Sequence, residues 1–556
     1  MLLLPATARA ADLYVAPAPT GNDSNAGTQA APLASMAKAQ TLAKAGDTVF
    51  FRGGTYAYTK GTTSCASGTA TVSGVVLDKS GASGSAINYF AYPGEKPVFD
   101  FDGIRDACRI KGLLVSGSWI HLKGLEIKGV RQNNDLNHES WGVWNQGSNN
   151  TFEALDIHNI MGAGLFIQHG SNNLVLNCDS HHNLDEHTSN GAGESADGFG
   201  CHVSAGETGN VLRGNRAWWN ADDGYDFINS EAACTVEYSW AWLNGYKPDT
   251  MDGIGNGNGF KGGGYGADAT QFPPAAQRAQ HTVRFCLAFA NKAAGFYANH
   301  HPVSEFFYNN TSYANHPNFN MLGENDAGAD ITVGVYRNNI ALGGVMFSNN
   351  TKSPDDANNS WNTAGVTVTE ADFQSVATTG MDAARQADGS LPVLPNFRLA
   401  AGSDMLDKGV DLKLPFAGKA PDLGAFEFGL EPPVMVGGSG NVAGGAGTNG
   451  GGTMAGLAGG GGASDSGGTS GNAGNAGGSV TVSGGAASGN SATTVAGTPP
   501  TATAGSGTGG NSTATPDPAD TGSGCACRVG SPQSSEPAWW LLLPLGLLMR
   551  RRRRSS

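Results

Sequence analysis

The segment 213–220 reads RGNRAWWN, and the segment 237–244 reads EYSWAWLN. Both end in Asn, with an aromatic residue two positions before the Asn and Ala three positions before it. Three further segments follow this pattern, with His in place of the aromatic residue or Ser in place of Ala: 176–183 (LNCDSHHN), 284–291 (RFCLAFAN) and 308–315 (YNNTSYAN). One kind of residue at one offset in every copy indicates an internal structural repeat.

The period of this repeat is about 24 residues. The terminal Asn residues stand at positions 183, 220, 244, 291 and 315. The intervals 220–244 and 291–315 are equal, whereas 183–220 and 244–291 are longer and each carry an insertion. A weaker copy ends at Asn159, one period before Asn183. Three short strands and their turns fit one period. We therefore predict an all-β fold, a parallel β-helix whose successive coils stack about 4.8 Å apart.

The stacked positions of the repeat are predicted to be structural. We expect the terminal Asn residues to form a hydrogen-bonded ladder and the aromatic residues to form columns inside the coil. Cys178 and Cys286 share a column of small residues five positions before the Asn and are expected to pack in the core. Near the N-terminus, 33–44 has helical apolar spacing and predicts a short helix that caps the open end of the solenoid.

Composition and charge limit the classes of function. The chain has 84 Gly among 556 residues, which argues against a helical bundle. Its formal net charge is −14, even though five consecutive arginines stand at Arg550–Arg554. A nucleic-acid partner is excluded, because binding to phosphates calls for a basic face. Binding of an acidic polymer would require a local reversal of charge, for which a bound divalent cation is the simplest means.

The segments outside the repeat indicate export. Residues 1–11 look like the remnant of a signal peptide, because Ala8-Arg9-Ala10 fits a cleavage site. Residues 12–429 form the predicted β-helix domain, and 430–524 form a linker rich in Gly, Ser and Thr. The final segment, 525–556, holds two Cys, a short apolar run at 538–549 and the arginines. It resembles the MYXO-CTERM sorting tail of myxobacterial exported proteins, although a weak membrane anchor is an alternative.

This organisation predicts a secreted or cell-surface protein. The tail would be read by sorting machinery of the cell envelope, and we expect the protein itself to be a monomer. Export permits disulfides, but six body cysteines allow 15 pairings, and the sequence does not choose among them. The six are Cys65, Cys108, Cys178, Cys201, Cys234 and Cys286.

A second column, in which Gly precedes an aromatic residue, carries candidate chemistry. It occurs at 197–199 (DGF), 223–225 (DGY), 258–260 (NGF) and 294–296 (AGF). Aligning the glycines places Asp197 beside Asp223, and Asp226 beside Lys261. Asp222 flanks the first of these pairs, so neighbouring coils would bring four carboxylates and one amine together.

Two interpretations of this cluster follow from the residue types. Four close carboxylates repel one another unless a cation lies among them, and hard oxygen ligands without His or thiolate favour Ca²⁺. The alternative is a solvated acidic turn. Lys261 is either a structural ion-pair partner of Asp226 or a general base, which would work best in alkaline medium because the ordinary Lys pKa is about 10.4.

These segments resemble the motifs of a known family. The segments 197–199 (DGF), 222–226 (DDGYD) and 257–263 (GNGFKGG) look like those of family 9 polysaccharide lyases, the pectate lyases with a right-handed parallel β-helix. The segments 385–392 (RQADGSLP), 402–407 (GSDMLD) and 421–427 (PDLGAFE) also fit, so the resemblance covers roughly 12–429.

The resemblance implies a reaction and a set of roles. The aspartates matching Asp197, Asp222, Asp223 and Asp226 would bind a catalytic Ca²⁺, and the lysine matching Lys261 would be the Brønsted base. The implied substrate is polygalacturonate or pectin. Its α-1,4 bond would be broken by β-elimination, which leaves a 4,5-unsaturated uronate.

Two other functions stay open at this point. One is a non-catalytic β-helix that binds polysaccharide at the cell surface, against which Lys261 beside four aspartates is the main argument. The other is a β-helix lyase for another uronate polymer such as alginate. Other polar residues are weaker candidates. Asp249 and Asp252, in the longer insertion, are expected to be solvated rather than catalytic. Arg213, Arg216, His202 and Lys292 either reach substrate carboxylates or are solvated on the faces of the coil. Asp404, Asp407 and Asp422 are expected to be turn and capping residues.

Overall fold

The fold is taken from a computed structural model that describes residues 10–63, 70–132, 139–187, 191–266, 269–343 and 355–430. The predicted linker and sorting tail, and most of the predicted signal remnant, lie outside these residues. Within the described part of the chain, every helix is too short or too polar to cross a bilayer.

Three parallel sheets form the wall of a right-handed parallel β-helix, as predicted. The first sheet contains Asp12–Val15, Thr48–Phe51, Ile87–Ala91, Ile120–Lys123, Thr151–Glu153, Leu174–Leu176, Asn210–Arg213, Cys234–Glu237, Thr282–Arg284, Phe306–Tyr308, Val335–Arg337 and Asp355–Asp356. The second contains Thr71–Leu77, Arg109–Val115, Ser140–Asn145, Gly162–Ile167, Phe199–Cys201, Tyr225–Asp226, Phe260–Lys261, Phe296–Tyr297 and Phe319–Asn320. The third contains Gly54–Ala57, Pro97–Asp100, Glu126–Lys128, Asp156–His158, Asp179–His181, Arg216–Trp218, Trp240–Trp242, Leu287–Phe289, Thr311–Tyr313 and Ile340–Leu342.

Few other elements accompany the coil in the described residues. The predicted capping helix is confirmed as Met36–Leu42, which begins after Ser35, whose side chain accepts a hydrogen bond from the Lys38 amide. Three short 3₁₀ helices and one antiparallel pair of strands complete the elements. They are Ala269–Gln271, Ala275–Gln277 and Glu370–Asp372, and the strands Leu322–Glu324 and Asp330–Thr332.

The Asn ladder is confirmed. From Asn183 to Asn315, each side-chain Nδ2 donates to the Oδ1 of the next Asn along the ladder at 2.8–3.0 Å. The prediction that the weak copy ends at Asn159 is wrong by one residue, because His158 pairs with His181 and the Ile160 amide donates to Asn183 Oδ1. Asn159 instead occupies the preceding position with φ 56°, a left-handed conformation that Asn tolerates well.

The aromatic residues of the repeat do not lie inside the coil, contrary to the sequence prediction. His181, Trp218, Trp242 and Phe289 do stack on one another, but they stand on the outer face of the third sheet. Because strand residues alternate between faces, the small residue preceding each of them points inward instead.

The C-terminal segment 355–430 buries this outer column. Phe397 and other apolar residues of the segment pack against Trp218, Trp242 and Phe289. The aromatic column inside the coil is a different one. It consists of Phe199, Tyr225, Phe260, Phe296 and Phe319, stacked with ring centroids 4.6–5.2 Å apart.

The cysteines divide between bonded and free ones. Cys201 and Cys234 form a disulfide between neighbouring coils. Cys178 and Cys286 are free and buried, as predicted for small core residues.

Both insertions enlarge the corner that leads from the third sheet into the second. Residues 184–196 form the shorter one. The longer insertion is divided between 245–257, at the same corner, and 262–281, beyond the strand Phe260–Lys261. The first two loops therefore border the strands that carry the predicted site.

Candidate active site

A column of glycines brings the predicted site residues into register. A Cβ atom added to Gly198, Gly224 or Gly259 would lie 2.6–2.7 Å from the carbonyl oxygen of the glycine in the next coil. Only Gly fits at such a corner, where coils approach this closely. The flanking residues Asp197, Asp223 and Asn258 consequently stack coil upon coil.

The strands that follow confirm the alignment predicted from the sequence. Gly200 pairs with Asp226, and Asp226 pairs with Lys261, in three adjacent strands of the second sheet. Their neighbours Phe199, Tyr225 and Phe260 point into the coil and stack there. The side chains of Asp226 and Lys261 therefore project from the outer face of the same sheet.

Three of the four predicted carboxylates meet at one point. Oxygen atoms of Asp197, Asp223 and Asp226 all lie within 4.8 Å of one another, and the three side chains are buried. Backbone groups hold two of them in place. The Asp223 amide donates to Asp197 Oδ1 at 3.1 Å, and the Ile228 amide donates to Asp226 Oδ1 at 2.7 Å.

Asp222 stands slightly apart from this group. It is not among the three residues whose oxygens lie within 4.8 Å, and its Oδ1 accepts a hydrogen bond from the Asn256 amide at 2.9 Å. Its charge nevertheless acts on the cluster, since it helps to raise the pKa of Asp197.

Asn258 fixes the orientation of Asp223. Its amide and its side-chain Nδ2 both donate to Asp223 Oδ1, at 2.6 and 2.8 Å. Asp223 is 0 % exposed, yet among the described residues its Oδ2 accepts no hydrogen bond and has only the Lys261 ammonium, 3.2 Å away, as a cationic neighbour. A buried carboxylate oxygen of this kind is costly unless a cation completes its surroundings.

Burial and mutual repulsion both disfavour the charged form of the aspartates in this cluster. Burial raises the pKa of Asp197, Asp222 and Asp223, and repulsion from neighbouring aspartates raises it further. For Asp223 the Lys261 charge and the Asn258 hydrogen bonds oppose this rise.

Lys261 lies directly against the acidic group. Its Nζ donates to Asp226 Oδ2 at 3.1 Å and lies 3.2 Å from Asp223 Oδ2, while the residue is only 8 % exposed. Burial alone would lower its pKa, but the surrounding aspartates, first Asp226 and then Asp223, raise the pKa well above 10.5. Without a cation, the ammonium form is strongly favoured.

The donor set fits a calcium ion. It consists of carboxylate oxygens alone, the ligand type that a hard divalent cation prefers, and one of these oxygens accepts no hydrogen bond. Neither a thiolate nor an imidazole belongs to the group, which argues against Zn²⁺.

Comparison with known proteins places the chain in one family. Residues 13–339 match the family described as "Pel9A-like, right handed beta helix region". The chain belongs to the Pel9A-like β-helix family. The resemblance to family 9 lyases is thereby confirmed, and the chain is a polysaccharide lyase.

Relatives of this Pel9A-like chain include curated proteins and solved structures. "Pectate lyase L" of Dickeya chrysanthemi is 34 % identical over 422 residues, which cover 74 % of this chain and 89 % of the relative. "Pectate lyase PEL9" of Emericella nidulans is 34 % identical over 328 residues, covering 55 % of this chain and 74 % of the relative.

Two solved structures also match well. The structure of "Rhamnogalacturonan lyase" aligns with a TM-score of 0.65 at 34 % identity and covers 70 % of this chain and 96 % of its own. The structure of "pectate lyase Pel9A" aligns with a TM-score of 0.60 at 32 % identity and covers 75 % of this chain and 96 % of its own.

One acidic residue of this Pel9A-like site lies outside the repeat. Glu194, in the shorter insertion, accepts a hydrogen bond from Asn256 Nδ2 at 2.9 Å and so reaches the loop that also binds Asp222. Burial, followed by the charge of Asp223, raises its pKa. No column of the repeat marks Glu194, because insertions have no equivalent in other coils.

The weaker sequence candidates lie in several places. Two of them lie near the acidic group. Burial lowers the pKa of His202, which follows the strand Phe199–Cys201, and the charges of Asp226 and Lys261 also act on it. Lys292 donates to the Gly255 carbonyl of the adjoining loop. Arg213 pairs with Glu237 on the first sheet, and Arg216 pairs with Asp179 on the third, so both face away from the aspartates.

The aspartates of loops and turns lie as expected: those of the longer insertion are exposed to solvent, and those of the C-terminal segment hold turns. Asp249 is 78 % exposed and contacts His182, while Asp252 lies in the same loop, at 245–257. In the C-terminal segment, Asp404, Asp407 and Asp422 accept hydrogen bonds from backbone amides of turns.

Proposed function

We propose that this protein is a calcium-dependent pectate lyase that cleaves α-1,4-galacturonan by β-elimination. The observation that carries the proposal is the position of Lys261, whose amine lies 3.1–3.2 Å from two carboxylates of the buried acidic group. The relatives named as pectate lyases support the choice of substrate.

The acidic residues are proposed to hold the ion and to position the substrate. Asp197, Asp223 and Asp226 would be its ligands, with Asp222 as a fourth carboxylate at the edge of the group. Calcium, when bound there, would supply positive charge for the uronate carboxylate and make the proton on C5 more acidic. The requirement for a cation also explains how an acidic protein holds an acidic polymer.

Lys261 is proposed to be the base. Its Nζ must be a neutral amine to accept the C5 proton, so the ammonium form favoured by the aspartates has to lose its proton first. When these aspartates serve as ligands, less of their charge acts on Lys261, and its pKa falls. We expect the rate to rise with pH as Lys261 loses its proton.

The bonds and protons of the proposed step balance. The C5–H bond breaks and its proton passes to Lys261 Nζ. Its electron pair forms the C4=C5 double bond, and the C4–O bond breaks with the leaving oxygen taking up a proton. Water is not consumed, so the new non-reducing end is a 4,5-unsaturated uronate.

The test is a product assay on polygalacturonate. The unsaturated uronate absorbs in the near ultraviolet, whereas products of hydrolysis do not. We expect absorbance to rise with the wild-type protein, to stop when a chelator is added and to resume when Ca²⁺ is restored. Release of saturated sugars alone would refute the lyase mechanism on this substrate.

A second substrate is favoured by one specific observation. The "Rhamnogalacturonan lyase" structure is as similar to this chain as the solved pectate lyase is. Both substrates would react by the same chemistry at Lys261, so the same assay can be run with rhamnogalacturonan in place of polygalacturonate. The higher value of kcat/KM identifies the substrate.

We further propose that the protein is exported and acts at the cell surface or beyond it. The proposal rests on 1–11 and 525–556, which have the composition of a signal remnant and of a sorting tail. Deleting 525–556 should release the protein from the cell envelope, which fractionation of cells and medium would measure. Unchanged distribution would refute a sorting role for this tail.

A further inference from the structure

A cluster of aromatic and basic side chains lies on the same outer face as the acidic group. Trp141, Trp144 and Phe166 form a buried cluster on the second sheet, and the charged ends of Arg109 and Lys111 lie over their rings. The mechanism proposed above uses none of these five residues. We call them the Trp cluster.

The strand register puts the Trp cluster in line with the catalytic residues. Trp144 pairs with Phe166, Phe166 pairs with Gly200, and Gly200 pairs with Asp226, which in turn pairs with Lys261. At about 4.8 Å per strand, Trp144 stands roughly 14 Å from Asp226 along the axis of the coil. A polymer lying along this face would cross both places.

Gly200 stands between the Trp cluster and Asp226 and has no side chain that would separate them. A Cβ atom at this position would lie 2.5 Å from the ring of Phe166, so a larger residue there would collide with the ring. His202 also contacts the Phe166 ring, with ring centroids 4.5 Å apart. In the row of paired residues between Trp144 and Asp226, the outer face of the sheet therefore carries the ring of Phe166 and the backbone of Gly200.

Two buried donors in the Trp cluster have no acceptor. Trp141 is 1 % exposed and Trp144 5 %, and among the described residues neither indole Nε1 makes a hydrogen bond. Buried N–H groups are nearly always paired, and each unpaired one costs about 1–3 kcal/mol. Two adjacent indoles without acceptors therefore point to an acceptor supplied by a ligand.

The surrounding charge indicates what kind of acceptor this is. Lys111 Nζ lies 4.1 Å from the ring centre of Trp144 and 5.6 Å from that of Trp141. The Arg109 guanidinium lies 4.1 Å from Trp141 but also pairs with Glu139 at 3.3 Å, so the argument from charge depends on Lys111. Positive charge beside N–H donors suits a carboxylate, and the aromatic rings suit the apolar face of a sugar. These side chains are no more deeply buried than those of the acidic group, which is proposed to bind the same polymer.

We propose that the Trp cluster is a distal subsite that binds a uronate unit of the polysaccharide, several sugars away from the bond that is cleaved. Trp141 and Trp144 donate to the uronate carboxylate, and Lys111 supplies the positive charge. The proposal rests on the proposed function, since it assigns to the same groove a second contact with the same acidic polymer. It predicts that long oligosaccharides bind more tightly than short ones.

The test measures binding of galacturonate oligomers of defined length to the full chain carrying Lys261→Ala, which leaves them uncleaved. Calorimetry with a trimer and a hexamer compares this parent with one that also carries Trp141→Phe and Trp144→Phe. These changes keep aromatic packing but remove both N–H donors. We expect about tenfold weaker binding of the hexamer and unchanged binding of the trimer.

Controls separate the subsite from general effects. Trp219→Phe, in the turn after the third-sheet strand Arg216–Trp218, is expected to change neither affinity. Lys111→Gln leaves both indoles in place and should weaken binding of the hexamer, so the proposal stays testable if the double variant does not fold. Equal binding of the hexamer by the parent and by both the indole and the Lys111 variants would overturn the subsite alone. A wild-type protein that neither binds galacturonate oligomers nor forms unsaturated product would refute the proposed function as well.

Discussion

At the scale of single residues, Asp223 is the centre of the site. It receives two hydrogen bonds from Asn258 on one oxygen and faces Lys261 with the other. The sequence could place Asp223 in this column because Gly224 and Tyr225 mark the register. It could not show that Asp222 turns toward Asn256, because that contact depends on the path of an insertion.

Replacing Asp223 by Asn should weaken calcium binding. Asp223→Asn keeps the size and the bonds to Asn258 but removes one negative charge from the ligand set, which lowers affinity at least about tenfold. Calorimetric titration with Ca²⁺ measures the change. Asp249→Asn, at an exposed loop position, is the matched control, and equal affinities of the two variants would contradict the assignment of Asp223 as a ligand.

Glu305 should make the protein less stable in alkaline solution. It is buried, neither carboxylate oxygen has a hydrogen-bond partner among the described residues, and burial raises its pKa well above 4.5. The folded state therefore holds a proton that the unfolded state releases. The stabilisation associated with this proton is complete below the unfolded pKa and is lost as the pH rises toward the folded pKa.

Glu305→Gln removes this titration while keeping the shape of the side chain. We expect the Tm of the variant to fall less than that of the wild type between mildly acidic and alkaline buffers. Thermal unfolding at a series of pH values measures the difference. The exposed Glu370→Gln is the control, and parallel Tm curves for wild type and Glu305→Gln would show that Glu305 is not the source.

At the scale of elements, the glycine column determines how closely the coils approach. Its motif, Gly before an aromatic residue, was readable in the sequence because each copy has the same neighbours. The orientation of the other aromatic column was not readable. The alternation of residues separates the two faces of a strand, but it does not tell which face is inside. The outer face also carries apolar residues here, because apolar residues of 355–430 cover it.

Adding one methyl group to this column should destabilise the coil. In Gly224→Ala the new Cβ would lie 2.7 Å from the Gly259 carbonyl oxygen and 2.9 Å from Asn244 Nδ2, and backbone atoms cannot move aside without disturbing the ladder. We expect a loss of roughly 2–4 kcal/mol in the free energy of unfolding, measured with urea. Gly402→Ala, which has open space around it, should change little, and a similar small effect at Gly224 would contradict the close packing.

At the scale of the whole molecule, the C-terminal segment 355–430 completes the fold by covering the third sheet. Arg385 attaches it: its guanidinium donates to Asp179 at 2.7 Å and to the backbone carbonyls of Cys178 and Gly214 at 2.9 Å. The sequence could identify 385–392 only as part of a family motif. A segment without periodicity gives no signal of the surface on which it packs.

Breaking this attachment should loosen the segment. Arg385→Gln leaves the Gly214 carbonyl without its donor, removes one of the two donors to the Cys178 carbonyl and removes one of the two cations from Asp179. We therefore expect a loss of roughly 2–4 kcal/mol in the free energy of unfolding. Arg52→Gln breaks a pair with Glu95 in which Arg52 is 37 % exposed, and it should cost much less because exposed ion pairs contribute little to stability. Urea unfolding of both variants measures the contrast, and equal losses would argue against the role given to Arg385.

The proposed reaction depends on Lys261 acting as the base beside a calcium ion held by the aspartates. The most direct test compares the wild type with Lys261→Ala on polygalacturonate at saturating Ca²⁺, with calcium stoichiometry measured on the same preparations. We expect the variant to bind calcium with unchanged stoichiometry and to lose at least about a hundredfold in kcat for formation of unsaturated product. A variant that retains the wild-type rate would contradict the account.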